Sequence, residues 1–383
     1  MKNWNQIKEF LSNFRELGII GSASGITNLI GAFFWLFLAS FTGEEDYGKI
    51  SYYLAIAIIA SRFSLLGSAN TILVYSSKGE KIHSSMFSLS LIGIIITSLI
   101  VFFVFLYDIS ISVYVIGFVL FTLVTSELLA KKRFKDYAKV IITQKILLVI
   151  LSLSLYQIFG INGVILGIGI SFIPFSIISI KELKKEKVNF KIIKKRWKFI
   201  LNSYLLDLST SFNGTLDKII ILPILGFVAI GNYHLGMQFF SVLTIIPMIF
   251  FQYLLPRDAR LESNNQFRKI LIIFSIVIAL SGAFIAPKLI PIFYSEFNDT
   301  IEVIQIASFA VIPFTIVTIL TSKYLGNENV IFVLIGSVIF ISVQMMSIVI
   351  LGTNWGISGV AISLVLSYSA QMIFLLIFSK INK

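Results

Sequence analysis

Long apolar runs separated by short polar breaks dominate the chain. A helix needs about 20 apolar residues to cross the hydrocarbon core of a bilayer. The pattern predicts twelve such helices, at 17–40, 50–74, 86–107, 110–130, 140–159, 161–180, 199–224, 227–254, 269–293, 302–322, 330–351 and 356–379. The fifth and sixth runs, and the seventh and eighth, are parted mainly by the turns Gly160–Gly163 and Gly226–Gly231. Ahead of the first run, Trp4, Ile7, Phe10, Leu11 and Phe14 recur at helical spacing. Residues 1–16 therefore read as an amphipathic lead-in rather than a removable signal peptide. The expected fold class is an all-α integral membrane protein.

Composition agrees. Hydrophobic residues make up 57% of the chain and charged residues 13%, against about 25% charged in soluble domains. Cysteine is absent, which excludes disulfides, thiol catalysis and Cys-ligated metals. The two histidines, His83 and His234, are too few for a His-rich metal site. The net charge of +12 suggests nucleic acid until its distribution is seen. With a cytoplasmic N-terminus, 26 of the 31 Lys and Arg residues fall in inside segments and only Lys49 and Lys288 outside. That asymmetry is the positive-inside rule. It places both termini in the cytoplasm and makes the basic charge topological, so no nucleic-acid partner is expected.

The longest polar stretch, Lys181–Lys198, divides six runs from six. The expected organisation is thus the lead-in 1–16, an N-terminal six-helix bundle 17–180, a basic cytoplasmic linker 181–198 and a C-terminal six-helix bundle 199–383. The halves share features. Gly160, Asn162, Gly163 and Val164 resemble Gly356, Ser358, Gly359 and Val360, and Gly43 and Gly48 match Gly226 and Gly231 at one offset. Both halves enter from the same side, which makes a parallel repeat.

Several segments together carry a family resemblance: Leu38 to Gly48, Ser64 to Gly67, Leu216 to Gly226, Ile230 to Tyr233, Leu255-Pro256-Arg257 and Gly356 to Val360. In this order the chain resembles the polysaccharide transporter (O-antigen flippase) family of the multidrug/oligosaccharidyl-lipid/polysaccharide exporter superfamily. The resemblance covers nearly the whole chain, which is shorter than typical members. It implies two six-helix bundles around a central cavity in a cell (plasma or inner) membrane. It also implies flipping of a polyprenyl-diphosphate-linked oligosaccharide from the cytoplasmic to the outer leaflet, for cell-surface polysaccharide biosynthesis.

Ionisable groups inside the bilayer are costly and are usually functional or paired. Arg62 lies midway along the second run, about 18 Å from either end, too deep to snorkel. Asp207, Asp217 and Lys218 lie in the seventh, where Ser203, Asp207, Thr210, Ser211, Gly214 and Lys218 share one helical face. Lys145 and Glu127 lie nearer the cytoplasmic ends of their runs, where snorkelling is expected. Arg62 and Lys218 are candidate ligands of a lipid diphosphate: arginine binds phosphate in a bidentate manner and lysine acts as a point charge. Asp217, Asp207, Thr210, Ser211 and Gln238 are further cavity-lining candidates, with Tyr233 and Gln252 available to sugar hydroxyls. The plainer alternative is that Arg62 forms a buried ion pair with Asp207 or Asp217. Either aspartate, if not merely a counter-ion, is a site for a coupling proton or sodium. No catalytic constellation, metal site or cofactor is expected.

Gly43 to Lys49 approaches a phosphate-binding loop, but Ile50 stands where Ser or Thr would hold magnesium. Gly18, Gly21, Ser22, Gly25 and Asn28 form a small-residue face expected to pack against another helix. His83 is expected to be solvated and His234 to be hydrogen-bonded. Two alternatives accompany the flippase. One is a cation-coupled small-molecule exporter of the same superfamily. The other is a membrane-embedded glycosyl- or acyltransferase, which the short, His-free outer segments disfavour.

Overall fold

The computed structural model describes residues 2–105, 108–183, 187–212, 214–259, 265–327 and 329–381, and every regular element among them is helical. In chain order these are α1 (Lys2–Thr42), α2 (Glu44–Leu65), α3 (Ser68–Ser77), α4 (His83–Val104), α5 (Ile109–Ala130), α6 (Phe134–Phe172), a 3₁₀ turn (Ile173–Phe175), α7 (Ser176–Leu183), α8 (Phe190–Phe212), α9 (Leu216–Leu243), α10 (Ile245–Ala259), α11 (Asn265–Phe293), α12 (Thr300–Ser308), α13 (Val311–Gly326) and α14 (Val330–Ile381). The side chains of residues 1–18 lie outside the described set, and with them the amphipathic face expected at 1–16. So do the side chains of 181–186 within the basic segment.

Among the described residues, seven helices are long and apolar enough to cross a membrane, or nine spans if the bent pairs α2–α3 (47°) and α12–α13 (45°) each count as one. Their outward faces suit lipid. On α4, Ile92, Ile95, Ile96, Leu99, Ile100 and Phe103 form one helical stripe, each at least half exposed. Water would not tolerate so long an apolar patch. The chain is a multi-pass membrane protein.

Two of the apolar helical runs are too long for one crossing. The run Phe134–Ser179 has 46 residues, about 69 Å if straight, twice the hydrocarbon thickness. It breaks at Gly160 (φ 57°, ψ −135°), and α14 breaks in the same way at Gly356 (φ 60°, ψ −140°). A Cβ makes this backbone region prohibitive, so glycine is what allows the turn. The limbs then fold back on each other. A Cβ at Gly167 would stand 2.6 Å from Ser152 Cα, fifteen residues earlier; a straight helix would hold them about 22 Å apart. The two fold-backs match in detail. A Cβ at Gly163 would overlap the Leu155 carbonyl oxygen, and one at Gly359 the Leu351 carbonyl oxygen, eight residues back in each case. In α9 the break is at Gly226, and the Tyr233 hydroxyl reaches Asp217, sixteen residues earlier.

By contact the chain forms two compact units, 1–34 with 53–212, and 35–52 with 213–383. The basic segment therefore lies in the first unit. There α5 is central, packing on α3, α4, α6 and α7. Val124, Leu128 and Val140 form a buried core lined by Phe121, Tyr137 and Phe175. In the second unit α14 packs on α9, α12 and α13, with Ile221, Ile230, Tyr233, Val303, Ile348 and Val360 buried together.

Within the second unit, the start of α2 packs on α9 just past its break. A Cβ at Gly48 would overlap the Phe227 carbonyl oxygen, and one at Gly231 the Glu44 carbonyl oxygen. The 183-residue offset that relates Gly48 to Gly231 also relates Glu44 to Phe227. Each contact is thus the image of the other, the reciprocal pattern of surfaces related by a two-fold axis.

Candidate functional site

In the first unit the polar centre is built by a bend. Leu66 and Gly67 take left-handed conformations (φ 49° and 73°) and separate α2 from α3. The bend leaves the Leu65 carbonyl without a helical partner, and the Ser90 hydroxyl of α4 donates to it at 3.3 Å. A Cβ at Gly67 would overlap the Ile200 carbonyl oxygen, so α8 approaches the bend closely. That approach sets Asn70 of α3 against Asp207 of α8: Asn70 Nδ2 donates to Asp207 Oδ1 at 2.8 Å. Arg62, one turn before the bend, lies within electrostatic range of Asp207 and Tyr114. Its guanidinium carbon is 5.2 Å from the Phe118 ring centroid, a cation–π distance. Arg62 Nε is buried and has no hydrogen-bond partner among the described residues. The site thus combines a mid-span guanidinium with unused donor capacity, an aromatic face and one buried carboxylate.

In the second unit, Asp217 stands in the first turn of α9. Its Oδ1 accepts from the Lys218 backbone N–H at 2.8 Å and its Oδ2 from the Tyr233 hydroxyl at 3.0 Å. Lys218 Nζ donates to the Gly214 carbonyl at 2.7 Å and is 3.8 Å from Asp217 Oδ1. His234 packs edge-on against Trp35 (5.2 Å) and near Tyr47 (5.1 Å), and meets Gln238 at 3.3 Å.

The structure corrects several expectations. The polar stripe of the seventh run is interrupted: α8 ends at Phe212, Gly214 takes φ 77°, and α9 begins at Leu216. Ser203, Asp207 and Ser211 stay together on the buried face of α8, whereas Asp217 and Lys218 belong to another helix in another unit. Thr210 is on α8, with its side chain outside the described set, as is that of Gln252. Ser211 donates to the Asp207 carbonyl of its own helix. Tyr233 is fully buried on Asp217, closed to sugars. His83 is fully buried rather than solvated, and Glu127 does not snorkel: its carboxylate lies 3.3 Å from His83 Nδ1 and 2.7 Å from Lys131 Nζ. The small-residue face of α1 is open, with nothing within 4 Å of a Cβ at Gly21 or Gly25. Asn70, Tyr114 and Phe118 were not expected at the site. Asn70 comes from α3 and Tyr114 and Phe118 from α5, and no spacing in the sequence joins them to Arg62. Among the described residues no group of three or more His, Asp or Glu side chains gathers to hold a metal.

No family model matches the chain, and no curated protein matches it significantly. Solved structures do. Lipid II flippase MurJ in an inward closed conformation aligns with 94% of this chain and 87% of its own at TM-score 0.77 and 16% identity. An inward-facing multidrug resistance MATE family transporter of the MOP superfamily aligns with 93% and 94% at TM-score 0.75 and 12% identity. An outward-facing one aligns with 96% and 94% at 0.59 and 15%. This chain shares its fold with these proteins. At such identities the likeness speaks to fold alone, so any assignment of cargo rests on this chain's own side chains. Of these, Arg62 has spare donors, whereas Lys218 is bonded within the protein.

Proposed function

We propose that this chain is a flippase of the inner (plasma) membrane, moving a polyprenyl-diphosphate-linked oligosaccharide from the cytoplasmic to the outer leaflet by alternating access. Counting the fold-backs at Gly160, Gly226 and Gly356 as hairpins gives twelve crossings with both termini cytoplasmic, as the basic residues require. Arg62 carries the reading. A guanidinium held at mid-membrane with a buried unsatisfied donor is costly unless an anion visits it, and a diphosphate is a compact anion suited to bidentate donors. Asp207, Thr210 and Ser211 on α8 are assigned to the same substrate-binding group. Gln238 is assigned to substrate in the second unit, where Lys218 and Asp217 are held by the protein itself.

The second reading is a cation-coupled small-molecule exporter. It is favoured by buried Asp217, which would take the coupling proton or sodium. A strain lacking this gene and complemented with Arg62→Ala separates the two. The flippase reading expects lost surface polysaccharide and lipid-linked oligosaccharide accumulating inside, with the variant present in the membrane at normal level. Normal surface polysaccharide in that strain refutes the assignment of Arg62.

A further inference from the structure

Lys145 offers a second cation, one that neither the sequence pattern nor the fold comparison singles out. It lies on α6, six residues past Lys139 and five past the start of the apolar run at 140. The partner helix gives the depth of its ammonium. The ammonium is 3.9 Å from the position of a Cβ on Gly31. Gly31 is the centre of the apolar stretch Ile19–Thr42 of α1, twelve residues from one end and eleven from the other. Snorkelling therefore does not account for Lys145. Both helices carry these residues in the first unit.

The charges at this depth do not balance. Arg62 has Asp207 within electrostatic range. Lys145 has no ion pair or hydrogen bond among the described residues. An unpaired ammonium at the bilayer centre costs about 2.5–3.5 kcal/mol on insertion scales, and a Lys→Met change would remove that cost while filling similar volume.

We infer that Lys145 is a substrate-contacting residue, the ammonium that takes the diphosphate of the transported lipid on the α1–α6 side of the first unit. This rests on the flippase reading and adds to it a residue and a place. Binding to the detergent-solubilised full chain tests it, with undecaprenyl diphosphate and undecaprenol as the two probes. Wild type is expected to prefer the diphosphate. Lys145→Met is expected to weaken diphosphate binding at least tenfold and leave undecaprenol binding unchanged, whereas Lys145→Arg stays within about threefold of wild type. Without lipid, Lys145→Met is expected to melt higher than wild type, because the charge it removes has no protein partner. Unchanged diphosphate binding in Lys145→Met, with binding lost in Arg62→Gln, overturns the Lys145 assignment and leaves the flippase reading standing. A lower melting temperature for Lys145→Met also overturns it, by showing that the protein itself uses the charge. A wild type that does not distinguish diphosphate from alcohol overturns the flippase reading and this inference with it.

Discussion

A cation in the middle of a membrane protein is informative according to how many of its donors the protein itself occupies. Lys218 is spoken for: it donates to the Gly214 carbonyl and faces Asp217. Arg62 rests on Phe118 with its Nε unsatisfied. Substitutions at the two should therefore diverge. Lys218→Met should lower the melting temperature and leave substrate affinity largely intact. Arg62→Met should leave the melting temperature near wild type and weaken diphosphate binding. Asp217 is held by the Tyr233 hydroxyl inside a closed core. Tyr233→Phe leaves a buried carboxylate oxygen short of a donor, which costs about 1–3 kcal/mol. In a domain of this size that is about 2–4 °C of melting temperature per kcal/mol, readable by differential scanning fluorimetry. The ionisable residues of the site were legible in the sequence because charge within an apolar run is rare. Their partners were not. Asn70, Tyr114 and Phe118 are ordinary residue types whose meeting with Arg62 depends on a bend and a helix crossing.

At the scale of the element, glycine does what the apolar pattern alone cannot. The runs 140–159 and 161–180 look like one long helix until Gly160 reverses the chain, and the Gly356 turn repeats that conformation with the same eight-residue contact. Gly160→Ala and Gly356→Ala should each destabilise the protein, by about 1–3 kcal/mol from backbone strain. Gly25→Ala on the open face of α1 should be neutral or slightly stabilising, as for glycine replaced within a helix. Melting curves of the three variants check this, and equal stability of Gly356→Ala and Gly25→Ala would refute it. These turns were readable in advance because a glycine pair between two apolar runs has few other uses. The break at Gly214 was not readable. Polar residues continue at helical spacing from Asp207 through Lys218, and periodicity gives no warning that the helix stops between them. The same weakness hid the burial of His83 and Glu127: each lies at a helix end, where the sequence allows water, and only the packing of α4 against α5 closes it off.

For the whole molecule, the contacts of Gly48 with Phe227 and of Gly231 with Glu44 repeat one another at a single offset. With an even number of crossings per half, both termini are expected on one side. The chain has no cysteine, so single cysteines report cleanly. Lys187→Cys should react with a membrane-impermeant maleimide only from the cytoplasmic side and Asn298→Cys only from the outside; labelling of both from one side would break the twelve-crossing topology. The account as a whole stands on directed movement of an anionic lipid. Its most direct test is reconstitution of the purified chain into liposomes with a fluorescent polyprenyl-diphosphate oligosaccharide in one leaflet, followed by the appearance of sugar on the other face through lectin binding. The account predicts transfer well above empty liposomes for wild type and near background for Arg62→Ala. Equal transfer by the two proteins, or no transfer of the diphosphate lipid alongside export of a cationic dye, would contradict it.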